Sequence, residues 1–168
     1  NGLRVQVYLD SDVDTIRTTG TSGNDVYDFK RLDGVVKNID MDMGAGNDTF
    51  NSTGDSDNNG GGAAQGLTSI LINGGAGEDY INVDSSMLES GSYILRGGAD
   101  NDRVKIGGIY SGYTGVTIEG GLGDDKLTGG DGPDRIFGGH DDTSSANTVF
   151  DGFDFIVGNG GDDLLDGG

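Results

Sequence analysis

Cysteine and tryptophan are absent from this 168-residue chain, proline and histidine occur once each, and cations are scarce: 10 Lys and Arg stand against 29 Asp and Glu. Without Cys there is no disulfide, zinc thiolate or thiol nucleophile. With one His and no Cys, a zinc centre has no ordinary ligand set. The net charge of −19 repels nucleic acid and anionic membrane surfaces. No apolar run reaches the length of a membrane span, and no secretory leader is visible. Hydrophobic residues make up 32 %, thin for a conventional core. Opening on Asn1 and closing on Gly167 and Gly168, the chain reads as part of something longer.

Glycine and aspartate are what the chain has in quantity. The 35 Gly follow no three-residue period, which excludes collagen. Such a chain is either disordered or folded around bound cations. An internal repeat favours the second. The nonapeptide G-G-x-G-x-D-x-U-x, with U a large apolar residue, recurs at 20–28, 43–51, 74–82, 97–105, 120–128, 129–137 and 158–166. A split copy opens at Gly138 and Gly139, is interrupted, and resumes at 152–157. Position six is Asp in every copy: Asp25, Asp48, Asp79, Asp102, Asp125, Asp134, Asp154 and Asp163. Position eight is apolar in every copy: Tyr27, Phe50, Ile81, Val104, Leu127, Ile136, Ile156 and Leu165.

These residue types suit one chemistry. A glycine turn admits positive φ and lets backbone carbonyls converge. Calcium takes six to eight oxygens, carbonyl and carboxylate alike. The three residues after each turn make a short strand whose middle residue points inward. Turn starts at 20, 43, 74, 97 and 120 are 23, 31, 23 and 23 residues apart, enough for one winding of two strands and two turns. The second strand is expected just before each turn. There Ile39 and Met41, Ile70 and Ile72, Tyr93 and Leu95, and Val116 and Ile118 alternate in register. Asp40, Leu71, Ile94 and Thr117, with the charged Asp42, Arg96 and Glu119, are expected to face outward. From 120 onward the spacing falls to nine, so both edges carry Asp turns.

The expected organisation is thus one continuous solenoid. Residues 1–19 form a capping strand or degenerate repeat, 20–119 irregular windings of about 23 residues with one calcium edge, and 120–168 regular windings with two. Ions are expected between stacked turns, bridging Asp25–Asp48, Asp48–Asp79, Asp79–Asp102, Asp102–Asp125 and Asp125–Asp154 on one edge and Asp134–Asp163 on the other. About six ions would bring about +12 against −19. Without them the buried carboxylates face one another, so the calcium-free chain is expected to be largely unfolded.

From about residue 20 to 168 the repeats resemble the RTX (repeats-in-toxin) family. The resemblance implies an all-β fold, a parallel β-roll or right-handed β-helix solenoid with calcium ions stacked between turns. It also implies export by one-step secretion from a Gram-negative bacterium, with folding in calcium outside the cell or at its surface. Carried over, the calcium ligands are the position-six Asp side chains with turn residues Gly20, Gly23, Gly44, Gly46, Gly75, Gly77, Gly98, Asp100, Gly121, Gly123, Gly130, Gly132, Gly139 and Gly161. There are departures: Thr21 and Met43 replace Gly, Asp100 replaces Gly at position four, Pro133 lacks an N–H, and residues 140–151 interrupt the split copy.

Several weaker signals remain. Asp55, Asp57, Asn59 and Gly60 match half an EF-hand loop, but the twelfth position is Gly66; a solvated loop or an extra calcium site are both open. Asp10, Asp12 and Asp14 before Ile16 suggest a degenerate repeat, and the alternating LRVQVYL at 3–9 a capping strand. His140 reads as an exposed loop residue. Ser22, Ser111 and Ser144 lack a nucleophile-elbow context, and no catalytic constellation is present, so no enzyme is expected. Three functions compete: a calcium-stiffened scaffold of a surface layer, adhesin or filament, associating with itself or with neighbouring domains; the secretion and folding module of an exported enzyme or toxin; and a glycan-binding module using Tyr110 and Tyr113.

Overall fold

The computed structural model describes residues 2–9, 13–32, 36–52, 67–88, 90–107, 113–139 and 152–168. The chain is all-β, with two parallel sheets of seven strands each. The first sheet holds β1 (Arg4–Leu9), β3 (Val26–Leu32), β5 (Thr49–Ser52), β7 (Tyr80–Asp84), β9 (Arg103–Gly107), β11 (Lys126–Thr128) and β13 (Phe155–Val157) in that order. The second holds β2 (Val13–Thr19), β4 (Val36–Asp42), β6 (Ser69–Ala76), β8 (Ser92–Ala99), β10 (Thr117–Leu122), β12 (Arg135–Phe137) and β14 (Leu164–Asp166). Successive strands alternate between the sheets, so each strand pairs with the strand two further on. Parallel strands ordinarily need a long crossover; here the crossover is the intervening strand of the other sheet with its two turns.

The register follows the sequence pattern. Position-eight residues pair as Tyr27↔Phe50, Phe50↔Ile81, Ile81↔Val104, Val104↔Leu127 and Leu127↔Ile156. On the facing sheet Ile39↔Ile70↔Tyr93 and Met41↔Ile72↔Leu95↔Ile118 run in parallel rows. These rows are buried from Tyr27 to Leu127 and from Ile39 to Ile136, and they form one hydrophobic core between the sheets. Parallel strands covered on both faces read as continuous apolar runs; these alternate because each sheet keeps one face toward water. The rows open at the end of the described chain, where Leu165 is 48 % exposed.

Two expectations change. Glu119 does not face water: it is buried, because the register places it beside Arg96, whose Nε donates to Glu119 Oε2 at 2.7 Å. Asp14 lies on β2, exposed, with its carboxylate 2.5 Å from Lys37 Nζ, and Ile16 pairs with Ile39 in the second sheet rather than with a position-eight residue. The run 3–9 supplies β1, which sits at the end of the first sheet and pairs with β3. Asp10, Asp12, Asp55, Asp57, Asn59, Gly60, Tyr110, Ser111, His140 and Ser144 lie outside the described residues.

Candidate metal centre

The glycine turns stack along two edges, and the position-six carboxylates stack with them. On the first edge the backbone N–H of each Asp donates to Oδ1 of the Asp one winding on: Asp25 to Asp48 at 2.7 Å, Asp48 to Asp79 at 2.7 Å, Asp79 to Asp102 at 2.8 Å, Asp102 to Asp125 at 2.7 Å and Asp125 to Asp154 at 2.8 Å. On the second edge Asp134 N–H donates to Asp163 Oδ1 at 2.9 Å. All six pairs expected from spacing are therefore neighbours, and all eight aspartates fall into two ladders.

A second ladder at position five, which the sequence did not suggest, runs in the opposite sense. Asn24 Oδ1 accepts from Asn47 N–H at 3.0 Å, Asn47 Oδ1 from Glu78 N–H at 3.3 Å, Asn101 Oδ1 from Asp124 N–H at 2.9 Å, and Asp124 Oδ1 from Phe153 N–H at 2.9 Å. Four of the five neighbouring turn pairs on the first edge are thus tied by bonds running both ways; the turns of Asp79 and Asp102 are joined by the aspartate bond. The available signal was the excess of Asn and Asp at that position, whose short side chains reach neighbouring amides.

The ladder uses one oxygen of each carboxylate. The other oxygen of Asp48, Asp79 and Asp102 is buried and accepts no hydrogen bond, while these residues are 1 %, 2 % and 3 % exposed. An unsatisfied buried carboxylate oxygen is costly. Burial pushes the carboxyls of Asp79 and Asp102 up to about 7 and about 8, against the pull of the amides they accept from, and neighbouring aspartates push the same way. Burial also raises Asp48. Asp25 goes the other way: burial pushes it up, but hydrogen bonds from Leu3 and Thr21 outweigh that and hold it below the usual carboxylate range.

The unused oxygens point where position one of the turn has no side chain. A Cβ at Gly74 would run into the Asp79 carboxylate and the carbonyl of Gly97; one at Gly97 would meet the Asp102 carboxylate and the carbonyl of Gly120. The same pairing recurs at Gly120 with Asp125 and Gly138, and at Gly138 with Asp154 and Gly167. Each vacancy is therefore a small cradle with a carboxylate and a carbonyl oxygen converging on it. Among the described residues no three His, Cys, Asp or Glu side chains converge on one point. A metal held here would draw mainly on carbonyls, a donor set that suits a hard cation such as calcium and not zinc.

The other sequence-expected ligands divide. Gly44, Gly75, Gly98 and Gly121 at position two, and Gly46, Gly77, Asp100, Gly123 and Gly161 at position four, hold positive φ. Asp100, at φ 77°, keeps the left-handed turn that its sequence position demands. Gly20, Gly23, Gly130, Gly132 and Gly139 do not have positive φ. The position-two carbonyls of Gly44 and Gly130 each accept an amide from the next winding, from Ala76 at 3.0 Å and Gly160 at 3.1 Å. The carbonyl oxygens that a position-one Cβ would meet belong to position one of the next winding, at Gly97, Gly120, Gly138, Gly158 and Gly167, and that of Gly138 accepts from Gly121 N–H at 2.8 Å. Tyr113, offered by the sequence as a glycan-facing ring, is 4 % exposed and donates to Asp134 Oδ2 at 3.3 Å.

Gly98→Ala tests the turn geometry. At φ 126° a Cβ would run into the Gly75 carbonyl. Left-handed strain in a non-Gly residue costs about 1–3 kcal/mol before the clash is added. Thermal unfolding in saturating calcium should therefore fall by several degrees, while Ser90→Ala, at an exposed position, should leave it unchanged. No family model, curated protein or solved structure matches the chain.

Proposed function

We propose that this chain is a calcium-binding parallel β-roll, a structural module of a secreted or cell-surface protein of the surface-layer, adhesin or filament type, which folds when it meets calcium outside the cell. One observation carries the reading: a row of buried aspartates, each spending one oxygen on the ladder, with the second oxygen of Asp48, Asp79 and Asp102 buried and unpartnered, those of Asp79 and Asp102 beside the carbonyls of Gly97 and Gly120. A cation in each cradle would take the place of the missing hydrogen bonds and offset part of the −19 charge. The bound ion supplies charge neutralisation and cross-links between windings; the chain supplies the oxygens and their spacing. A scaffold role agrees with windings of unequal length, 23 and 31 residues. The alternative is the secretion and folding module of an exported enzyme or toxin. The three-residue strands β11 and β12, and β13 and β14, each pair nine residues apart, are what that class would use.

A calcium titration followed by far-UV circular dichroism and small-angle scattering, with magnesium as control, tests the proposal. A cooperative coil-to-β transition with compaction, driven by calcium and not by magnesium, is expected. A chain that is already fully β and compact in excess chelator at pH 8 would refute it.

A further inference from the structure

The turns are of two kinds, and the difference decides what the aspartate can do. In turns 43–48, 74–79, 97–102 and 120–125 the position-two glycine is left-handed, with φ of 99°, 109°, 126° and 119°. The second carboxylate oxygen of Asp48, Asp79 and Asp102 accepts no hydrogen bond. In turns 20–25 and 129–134 position two is not left-handed, and its N–H turns onto its own aspartate: Thr21 N–H donates to Asp25 Oδ2 at 2.6 Å and Gly130 N–H to Asp134 Oδ2 at 2.7 Å. Thr21 fits this role, because a β-branched residue resists positive φ.

Those two turns are the first of their edges, and each carboxylate is filled by further donors, one or more of them from outside the repeat. Asp25 Oδ1 accepts from Leu3 N–H at 2.5 Å and from the Thr21 hydroxyl at 2.9 Å. Asp134 Oδ1 accepts from Val116 N–H at 2.9 Å, and its Oδ2 from the Tyr113 hydroxyl at 3.3 Å. The Tyr113 ring also fills the space a side chain would need at Gly130 and Gly132. Burial, with the charges of Asp134 and Asp131 adding to it, pushes the Tyr113 phenol up to about 12, so it stays a donor at neutral pH.

We infer that Asp25 and Asp134 are closed ends of the two ladders, satisfied by Leu3, Thr21, Tyr113, Val116 and Gly130 in place of a cation, and that among the uninterrupted turns cations enter only at those whose position-two residue is left-handed. The inference rests on the calcium reading above. It gives Tyr113 a role the repeat pattern does not contain: a plug that starts the second edge where no earlier aspartate turn exists to pair with Asp134. It also lowers the ion count below the six expected from counting pairs of aspartates.

Native mass spectrometry of the whole chain in calcium, with wild type, Asp79→Asn, Asp134→Asn and Tyr113→Phe, reads the ion count directly. Asp79→Asn is expected to lose at least one ion. Asp134→Asn is expected to keep the wild-type count, and Tyr113→Phe to keep or exceed it while melting at lower temperature. If Asp134→Asn loses as many ions as Asp79→Asn, the inference is overturned. Should Asp134→Asn fail to fold in calcium, Tyr113→Phe decides: an unchanged or higher count supports the plug, and a lower count overturns it. A wild-type chain that binds no calcium overturns the proposed function itself, a result separable from either of these.

Discussion

Replacing Asp102 by Asn should weaken folding in calcium and strengthen it in chelator. Asn keeps an oxygen for the Asp79 amide, now bonded at 2.8 Å, so the ladder survives. What it removes is the charge on an oxygen that is buried without a hydrogen-bond partner. With calcium present, a ligand is lost from a cooperative row, and the calcium concentration at the folding midpoint is expected to rise at least tenfold, which corresponds to about 1.4 kcal/mol. With calcium removed at pH 8, the same change relieves like-charge repulsion from Asp79, Asp100 and Asp125 and a desolvation penalty, so more β structure should remain. Asp162→Asn, on an exposed residue, should do neither. Parallel titrations by circular dichroism decide the matter. An Asp102→Asn protein that loses stability equally in calcium and in chelator would reduce the residue to a structural ladder member.

Protons should substitute for calcium. Burial raises the carboxyls of Asp79 and Asp102 to about 7 and about 8, well above their ordinary 3.8, and raises Asp48 and Asp134 as well. A carboxyl whose pKa is higher folded than unfolded binds its proton more tightly when folded. Its contribution to stability is therefore complete below the unfolded value and is lost as pH rises through the folded one. In chelator the chain is expected to gain β structure as pH falls from 8 toward 5, with the largest gain in stability per pH unit below about 7, where both carboxyls are protonated in the folded chain and ionised in the unfolded one. Asp25, held low, acts the other way and costs stability only as pH drops below 3.8. In saturating calcium the fold should persist from pH 7 to 8, and calcium affinity should fall as protons compete at lower pH. A chelated chain whose spectrum is the same at pH 5 and pH 8 would show that the buried carboxyls do not govern folding.

Much of this arrangement was legible in the chain because it is periodic. The alternation of Ile39 and Met41, Ile70 and Ile72, and Tyr93 and Leu95 sets the inward faces of the second sheet, and the eight aspartates count off the turns. What could not be read is what breaks the period. Tyr113 reaches Asp134 across 21 residues, from a segment with no repeat of its own, so only the winding brings them together. Glu119 has the parity of an outward residue, yet its register partner Arg96 covers it. The position-five ladder was hidden because that position carries no single residue type. The two kinds of turn share one motif, and only backbone φ at position two separates them.

The winding from Asp48 to Asp79 takes 31 residues where its neighbours take 23, yet its ladder bond is 2.7 Å, the same as that from Asp25 to Asp48. The extra length leaves no trace on the aspartate edge. Chain can therefore be spliced into the opposite edge, between β5 and β6, without disturbing the spacing of the oxygens. The aspartate rim keeps a fixed pitch whether the winding beneath it takes 23 residues or 31.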